Sequence, residues 1–352
     1  MHDDRRARVR AAGGFAGNGV LRVRVCERCV LPETFPGVGL DGTGICRFCR
    51  SYKPERAEAA KEKYLRRFEE LLAPRRRAGR YDAIMAYSGG KDSTYTLLAL
   101  KRRYQLSVLA VTLDNGFISP VAIENIRVVV ERLGCDHLFF KPRFDLLQKI
   151  FSRAIDEQMF SAKTLERAST ICTSCMAIVK FVVLRMAVEG RIPFVVYGWS
   201  PGQAPIEASV FRHNPAMLRS MQKALQDPLA AAAGPEVGDY FLTEEHFADP
   251  GGLPYSVSPL AFLEYDEERI VEEIQRLGWR RPTDTDPNST NCLLNAFANQ
   301  VHKDRFHFNP YAFELAKLVR EGHLAREEAL ARLATSENPE IVAQVRRRLL
   351  DK

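Results

Sequence analysis

Ala83-Ile84-Met85-Ala86-Tyr87-Ser88-Gly89-Gly90-Lys91-Asp92-Ser93 is a short apolar run that enters a glycine turn, and the helical spacing of Tyr95, Leu97, Leu98 and Leu100 leaves it. A strand, a tight turn and a helix in that order aim several backbone N–H groups at one point. The helix N-terminus adds a partial positive charge there. Such a place suits pyrophosphate. Gly89 and Gly90 permit close backbone approach, Lys91 offers a point charge, and Ser88 and Ser93 offer hydroxyl donors. The spacing does not fit the common phosphate loop, which needs four residues between its first glycine and Gly-Lys, and Gly-x-Gly-x-x-Gly is missing too. The bland alternative is an ordinary glycine turn.

Outward from this point the chain alternates. Strands are expected over 81–87, 107–113, 137–140 and 194–197. Helices are expected over 93–104, 120–133, 144–159 and 175–189. Alternation of apolar strands with helices predicts an α/β fold with a doubly wound parallel sheet, whose functional loops gather at the carboxyl ends of the strands. Ser88, Asp114, Pro142 and Gly198 would then surround one crevice. Residues 1–24 are basic and Gly/Ala-rich and are expected to be disordered. A metal-binding module follows at 25–52, a linker helix at 53–78 and the nucleotide domain at 79–281, within which 206–252 resembles an insertion. Residues 260–277 form a further expected helix. The segment 282–352 opens with a polar loop, Asp284 to Asn291, and continues as amphipathic helices over 310–350.

The eight cysteines fall into three groups. Cys26-x-x-Cys29 and Cys46-x-x-Cys49, sixteen residues apart, have the spacing of a double zinc knuckle. The stretch between them is too short for a core, so a metal would hold it together. The alternative is a pair of disulfides. Cys172 and Cys175, with Cys292 117 positions beyond, make a three-thiolate set. Three protein ligands leave one position open, as a reactive cluster or a catalytic metal requires. The helix starting beside Cys172 and Cys175 is expected to favour their thiolates, and the alternative is a redox pair plus a buried thiol. Cys135 reads as a packed thiol at the start of a strand.

At 352 residues, 46% hydrophobic and 27% charged, the chain has room for two domains and the composition of a soluble globular protein. No run approaches a membrane span of eighteen apolar residues. The charged N-terminus has no apolar core behind it, so no secretory signal is read there, and the cytoplasm is the expected location. The net charge of +7 comes largely from runs such as Arg75-Arg76-Arg77 and Arg346-Arg347-Arg348. A basic surface attracts tRNA, nucleotides or acidic sugars, though any single run also reads as a solvated helix face.

Ser88-Gly89-Gly90-Lys91-Asp92-Ser93 resembles the PP-loop of the ATP pyrophosphatases, with pattern S-G-G-x-D-S. That family cleaves ATP between its α and β phosphates and adenylates a substrate oxygen. The resemblance implies ATP at Ser88, Gly89, Gly90, Lys91, Asp92 and Ser93, with Thr112, Asp114 and Gly198 beside the nucleotide. Lys91 and Asp92 would be catalytic, and Asp92 would help hold Mg2+. Over nearly its whole length the chain is also similar to the N-acetyl sugar amidotransferases. Four regions carry this: Cys26 to Pro36 with Gly44 to Arg50, Ser88 to Ser93, Ser289-Thr290-Asn291-Cys292-Leu293-Leu294-Asn295, and the tail Leu318 to Gly322 with Arg326 to Ala329. In those enzymes ATP activates an acetamido oxygen and ammonia replaces it.

Cys172-Thr173-Ser174-Cys175 departs from the amidotransferase pattern and, with Cys292, resembles the cluster-bearing tRNA 2-thiocytidine and 2-thiouridine synthetases. That resemblance implies a 4Fe–4S cluster on Cys172, Cys175 and Cys292, all three catalytic, with zinc on Cys26, Cys29, Cys46 and Cys49. Those enzymes carry a Gly-His-x-x-Asp-Asp stretch where this chain has Gly198-Trp199-Ser200-Pro201-Gly202-Gln203, so no acid is assigned there. The expected activity is ATP-dependent sulfur transfer to a carbonyl carbon. Ammonia-dependent amidotransfer is the alternative, and a non-catalytic, zinc-stapled nucleic-acid-binding protein comes third. The acceptor is expected to be a small molecule or tRNA. A sulfide- or ammonia-donating protein and a homodimer remain open as partners, and no membrane partner is expected.

Overall fold

The computed structural model describes residues 23–73 and 80–351. The tail 1–22 and the run Arg75–Arg77 lie outside that range. The knuckle opens the chain. A short helix α1 (Arg47–Ser51) starts at its last cysteine pair, and α2 (Pro54–Leu72) leads away from it. The doubly wound part follows as β1 (Ala83–Ala86), α3 (Lys91–Leu98), β2 (Val108–Leu113), α4 (Pro120–Leu133), β3 (Asp136–Phe140), α5 (Phe144–Asp156), a single turn α6 (Ala162–Leu165), α7 (Thr170–Glu189) and β4 (Phe194–Tyr197). Beyond these come β5 (Val210–Arg212), α8 (Pro215–Ala233) and β6 (Tyr255–Val257). The chain closes with α9 (Glu267–Gln275), α10 (Leu294–Phe306), α11 (Ala312–Arg320), α12 (Arg326–Ala334) and α13 (Pro339–Leu350).

The local chemistry accounts for these boundaries. Ser119 caps α4 by accepting from the Val121 amide, Pro120 opens that helix, and Gly134 closes it in the left-handed region. Ser169 caps α7 by accepting from the Cys172 amide. α3 differs: Gly90 stands at its N-cap with no side chain to cap it, which leaves the first-turn amides for other partners.

The sheet order is β3-β2-β1-β4-β6-β5. β1 pairs in parallel with β2 and with β4, so the strand order reverses beside β1. A ligand crevice belongs at that reversal, outside the carboxyl ends of the strands. β6 is parallel to β4, and β5 is antiparallel to β6. One core face packs α5, α7 and α8 on the sheet, including Ile150, Phe151, Ile178 and Phe181. The other packs α2, α3, α4 and α9, including Phe68, Leu97, Val129 and Trp279. A third cluster joins the knuckle to α11 and α12 through Phe35, Phe313 and Leu315.

The expected parallel sheet is present, with several corrections. The segment 206–252 supplies β5, a full strand of the sheet, along with α8. The helix expected over 260–277 is confined to Glu267–Gln275, because Asp266 caps it and the preceding stretch turns at Pro259 to bring Tyr265 inward. α7 starts five residues before its expected Cys175 start, which places Cys172 and Cys175 inside its first two turns. α7 is also long and apolar enough, by length and composition, to cross a membrane, contrary to the reading that no run approaches that. Most of its span is buried against α5, the sheet and α10.

Candidate active site

The glycine turn lies at the carboxyl end of β1, where the strand order reverses. Gly89 has φ of +73°, a left-handed conformation that favours glycine, and a Cβ there would stand 2.6 Å from Ile126 Cγ1. The buried indole of Trp279 donates to the Gly89 carbonyl at 2.9 Å. Ser88 and Ser93 hydroxyls meet at 3.1 Å across the turn, and Ser93 Oγ donates to the Gly90 carbonyl at 3.0 Å. Gly198, at the end of β4, lies flat on this loop: a Cβ would be 2.4 Å from Ser93 Cα. Gly198 therefore packs directly against the start of α3.

Lys91 turns its side chain down from the loop. Its ammonium contacts Asp92 Oδ1 at 2.7 Å, Tyr265 OH at 2.7 Å and Glu267 Oε2 at 3.6 Å. Glu267 also takes both arms of Arg332, at 3.0 and 3.2 Å. Burial works against the Glu267 charge, but Lys91 and Arg332 hold its carboxyl below the usual range. Burial and the nearby Asp92 carboxylate push the Tyr265 phenol well up. The Lys91 amide donates to Thr290 Oγ1 at 2.9 Å, and Lys91 lines one crevice with Asp92, Tyr265, Glu267 and Glu314.

Thr290 belongs to the polar loop that precedes Cys292, and the loop is stitched to the end of β2. Ser119 Oγ donates to Asp284 at 2.8 Å, the Ser119 amide donates to the Asn291 carbonyl at 2.9 Å, and Cys292 bridges to Ile118. Cys292 is thereby delivered to Cys172 and Cys175. Asn115 marks the meeting point: its Nδ2 lies 3.5 Å from Cys175 Sγ and 3.5 Å from Cys292 Sγ. Its Oδ1 accepts from the Phe117 amide at 2.9 Å, which fixes the amide to face the sulfurs. Asn295 Nδ2 reaches Cys172 Sγ at 3.7 Å and also donates to Tyr311 OH at 3.0 Å.

Burial pushes the Cys172 thiol up to about 11 and the Cys175 thiol up to about 12, and it raises Cys292 as well. The thiolate bias expected from the helix end is outweighed by desolvation, so the three stand as neutral thiols. Among the described residues, only the four knuckle cysteines gather their ligand atoms within 4.8 Å of one another.

Two expected nucleotide neighbours are already engaged within the fold. Thr112 is buried and donates its hydroxyl to the Tyr87 carbonyl at 2.7 Å, with His137 Nε2 at 2.9 Å. Asp114 accepts from the Gly116 amide at 2.7 Å and faces Lys141 at 3.4 Å. Cys135 is a packed thiol beside the second core face, raised to about 11 by burial.

Sequence reasoning missed Tyr265, Glu267, Tyr311 and Glu314. None lies in a motif, and only tertiary folding brings them to the crevice. The strand end 112–115, expected beside the nucleoside, turns the Asn115 amide to Cys175 and Cys292.

The knuckle forms a separate centre. Cys26, Cys29, Cys46 and Cys49 are buried, and their four sulfurs lie within 4.8 Å of one another. Cys26 and Cys49 sulfurs are 3.9 Å apart, and Cys29 and Cys46 sulfurs 3.7 Å. Four sulfurs at about 2.3 Å from one tetrahedral ion would be separated by about 3.8 Å. Amides of Cys46 and Cys49 donate to cysteine sulfurs at 3.2 and 3.4 Å. Without a cation the four thiols compete: the bond from Cys29 holds Cys46 far down, while bonds to the other cysteines push Cys29 and Cys49 up. A divalent ion would let all four ionise together.

No family model matches the chain. It is 25% identical over 329 residues to an uncharacterized protein of Methanocaldococcus jannaschii, covering 92% of this chain and 98% of that one. Among solved structures it is similar to a U34-tRNA thiolase of Methanococcus maripaludis with its 4Fe–4S cluster. That likeness has 16% identity, covers 91% of this chain and 96% of the other, and has a TM-score of 0.37. It is also similar to the NMN synthetase of Francisella tularensis, at 12% identity over 82% and 99% of the two chains with a TM-score of 0.36. An NH3-dependent NAD synthetase of Campylobacter jejuni shares 12% identity over 85% and 94%, with a TM-score of 0.34.

Proposed function

We propose that the chain is an ATP-dependent sulfurtransferase that adenylates a carbonyl oxygen of its acceptor and replaces that oxygen with sulfur. The meeting of Cys175 and Cys292 at Asn115, with Cys172 held by Asn295 one turn along the same helix from Cys175, carries this reading. The turn suits a polyphosphate. α3 has no side-chain cap of its own, and the Thr290 hydroxyl already meets the Lys91 amide, where a phosphate oxygen would be received. The backbone amides of the turn, Ser88 and Ser93 would hold ATP, with Gly198 closing the wall. Asp92 is the carboxylate of the turn that would help hold magnesium, which offsets charge on the departing pyrophosphate.

Cys172, Cys175 and Cys292 would hold a 4Fe–4S cluster. With one iron position free, such a cluster supplies a place for the incoming sulfur next to the acceptor carbon. Asn115 and Asn295 would donate N–H groups to the ligating sulfurs and fix their orientation. Cys26, Cys29, Cys46 and Cys49 would hold a structural zinc, as the closed set of four sulfurs favours. The reaction is assigned to the cytoplasm, and the acceptor to tRNA or a small molecule with an amide-type carbonyl.

The test uses anaerobically purified protein with Mg·ATP, sulfide and either bulk tRNA or an acetamido sugar. AMP release should depend on one of those acceptors, and mass spectrometry should find sulfur in it. Cys175→Ala should keep acceptor-dependent AMP release and lose sulfur incorporation. Unchanged product in Cys172→Ala, Cys175→Ala and Cys292→Ala, with ammonium replacing sulfide, would instead establish amidotransfer. One observation favours that second reading. The four regions resembling the amidotransferases meet in two pairs, Thr290 on the glycine turn and Arg326 on the knuckle carbonyls of Cys26 and Cys29.

A further inference from the structure

The loop after β4 carries no acid of its own, yet it grips one. Ser200 Oγ donates to Glu314 Oε1 at 2.5 Å. Gln203, which accepts from the Ser200 amide at 3.0 Å, also bonds this carboxyl. Lys317, one turn along α11, donates to the Pro201 carbonyl and fastens helix to loop. The Glu314 carboxyl thus stands against the loop that closes the wall of the glycine turn. It lines the same crevice as Asp92, Thr290 and Tyr311. The Tyr311 hydroxyl meets Asn295, which in turn reaches Cys172, so the carboxyl lies between the turn and the cysteines.

We propose that Glu314 is the group that takes the acceptor's amide proton during adenylation. This rests on the adenylation reading above and holds for either incoming nucleophile. An acceptor of the form C(=O)–N–H attacks the α-phosphorus of ATP through its oxygen. The O–P bond forms, the bond from that phosphorus to the bridging oxygen breaks, and the electron pair leaves with pyrophosphate. The acceptor nitrogen lends its lone pair to the new C=N bond, and its proton passes to the Glu314 carboxylate. The resulting neutral acid loses that proton to solvent through the half-open crevice before the next turnover.

The surroundings suit the task. Burial pushes Glu314 up to about 7; the Ser200 and Gln203 bonds and Lys91 oppose this, and Asp92 adds to it. Tyr265 and Tyr311, the other titratable groups facing it, stay protonated because burial raises both. A carboxyl poised near neutral pH can both take and release a proton at working pH.

The test compares wild type, Glu314→Gln and Glu314→Asp, using whichever of bulk tRNA or an acetamido sugar supports AMP release. In Glu314→Gln the kcat for AMP release should fall about a hundredfold or more. Calorimetric affinity for Mg·ATP should not change, and the rise in rate through about pH 7 should vanish. Glu314→Asp should retain that rise at reduced rate. A fully active Glu314→Gln, or a pH rise that survives in it, overturns the proposal. Infrared titration decides independently of any acceptor. The wild-type-minus-Gln difference should contain a protonated carboxyl band that ionises near neutral pH. A band that ionises in the ordinary carboxylate range overturns the proposal. A wild type that releases no AMP with any acceptor counts against the adenylation reading itself, and the infrared titration then decides Glu314.

Discussion

Lys91 shows how a motif residue can change role once its surroundings are known. From the sequence its ammonium is a phosphate contact. In the fold it balances Asp92 and Glu267 beneath the turn, with Tyr265 between them. Lys91→Ala should therefore lower stability as well as AMP formation. Arg332 and Arg281 still serve Glu267, so the expected loss is about 1.5–3 kcal/mol, the worth of hydrogen bonds to charged groups. Thermal melting checks this, and an unshifted midpoint would show that the cluster contributes nothing to the fold.

Glu314 yields a prediction of opposite sign. Its carboxyl is held above the ordinary value, so the neutral form belongs to the folded state. That contribution is complete below the unfolded value near 4.5 and is lost as pH rises through about 7. At pH 8 the wild type must keep a charge in a hostile place and Glu314→Gln need not. The variant should melt higher than wild type at pH 8, with the gap closed by about pH 4, below the unfolded value. Equal melting at both values would mean that the site tolerates the charge.

At the scale of elements, α11 carries both Glu314 and the face that meets the knuckle. Phe313 stacks on Phe35 with ring centres 5.5 Å apart and meets Phe48 edge-on at 5.4 Å. Arg326 at the start of α12 donates to the Cys26 and Cys29 carbonyls at 3.0 Å each. The knuckle thus buttresses the helix behind the crevice. Removing the metal proposed for it with a chelator should speed amide exchange in Ala312–Arg320 while β1 and β2 stay protected. Uniform exchange across the chain, or no change in α11, would separate the knuckle from the site.

Elements with strong periodicity were the legible ones. β1, β2 and β4 are near-continuous apolar runs, and α4 and α5 are long helices whose apolar spacing decides them. β5 and β6, three residues each, are too short for a period to register, and they form because β4 offers an open edge. α10 was unanticipated because its polar faces, Asn295 and Asn299, turn inward to Tyr311 and Asp286.

For the whole molecule, the two cysteine centres and the glycine turn were legible because each is a local spacing. What joins them was not. Asn115 between the sulfurs, Thr290 on the turn and Glu314 under Ser200 are contacts between residues up to 199 positions apart, and no pattern along the chain records them. The loop before Cys292 and α11 line one crevice with the glycine turn.

The central claim is that Cys172, Cys175 and Cys292 hold a cluster that serves sulfur transfer. Iron content per chain, measured on protein purified without oxygen, tests it most directly. Wild type should be brown with about four irons per chain, and Cys175→Ala should lose them while keeping the knuckle metal. A colourless wild type that carries only the knuckle metal would contradict the claim.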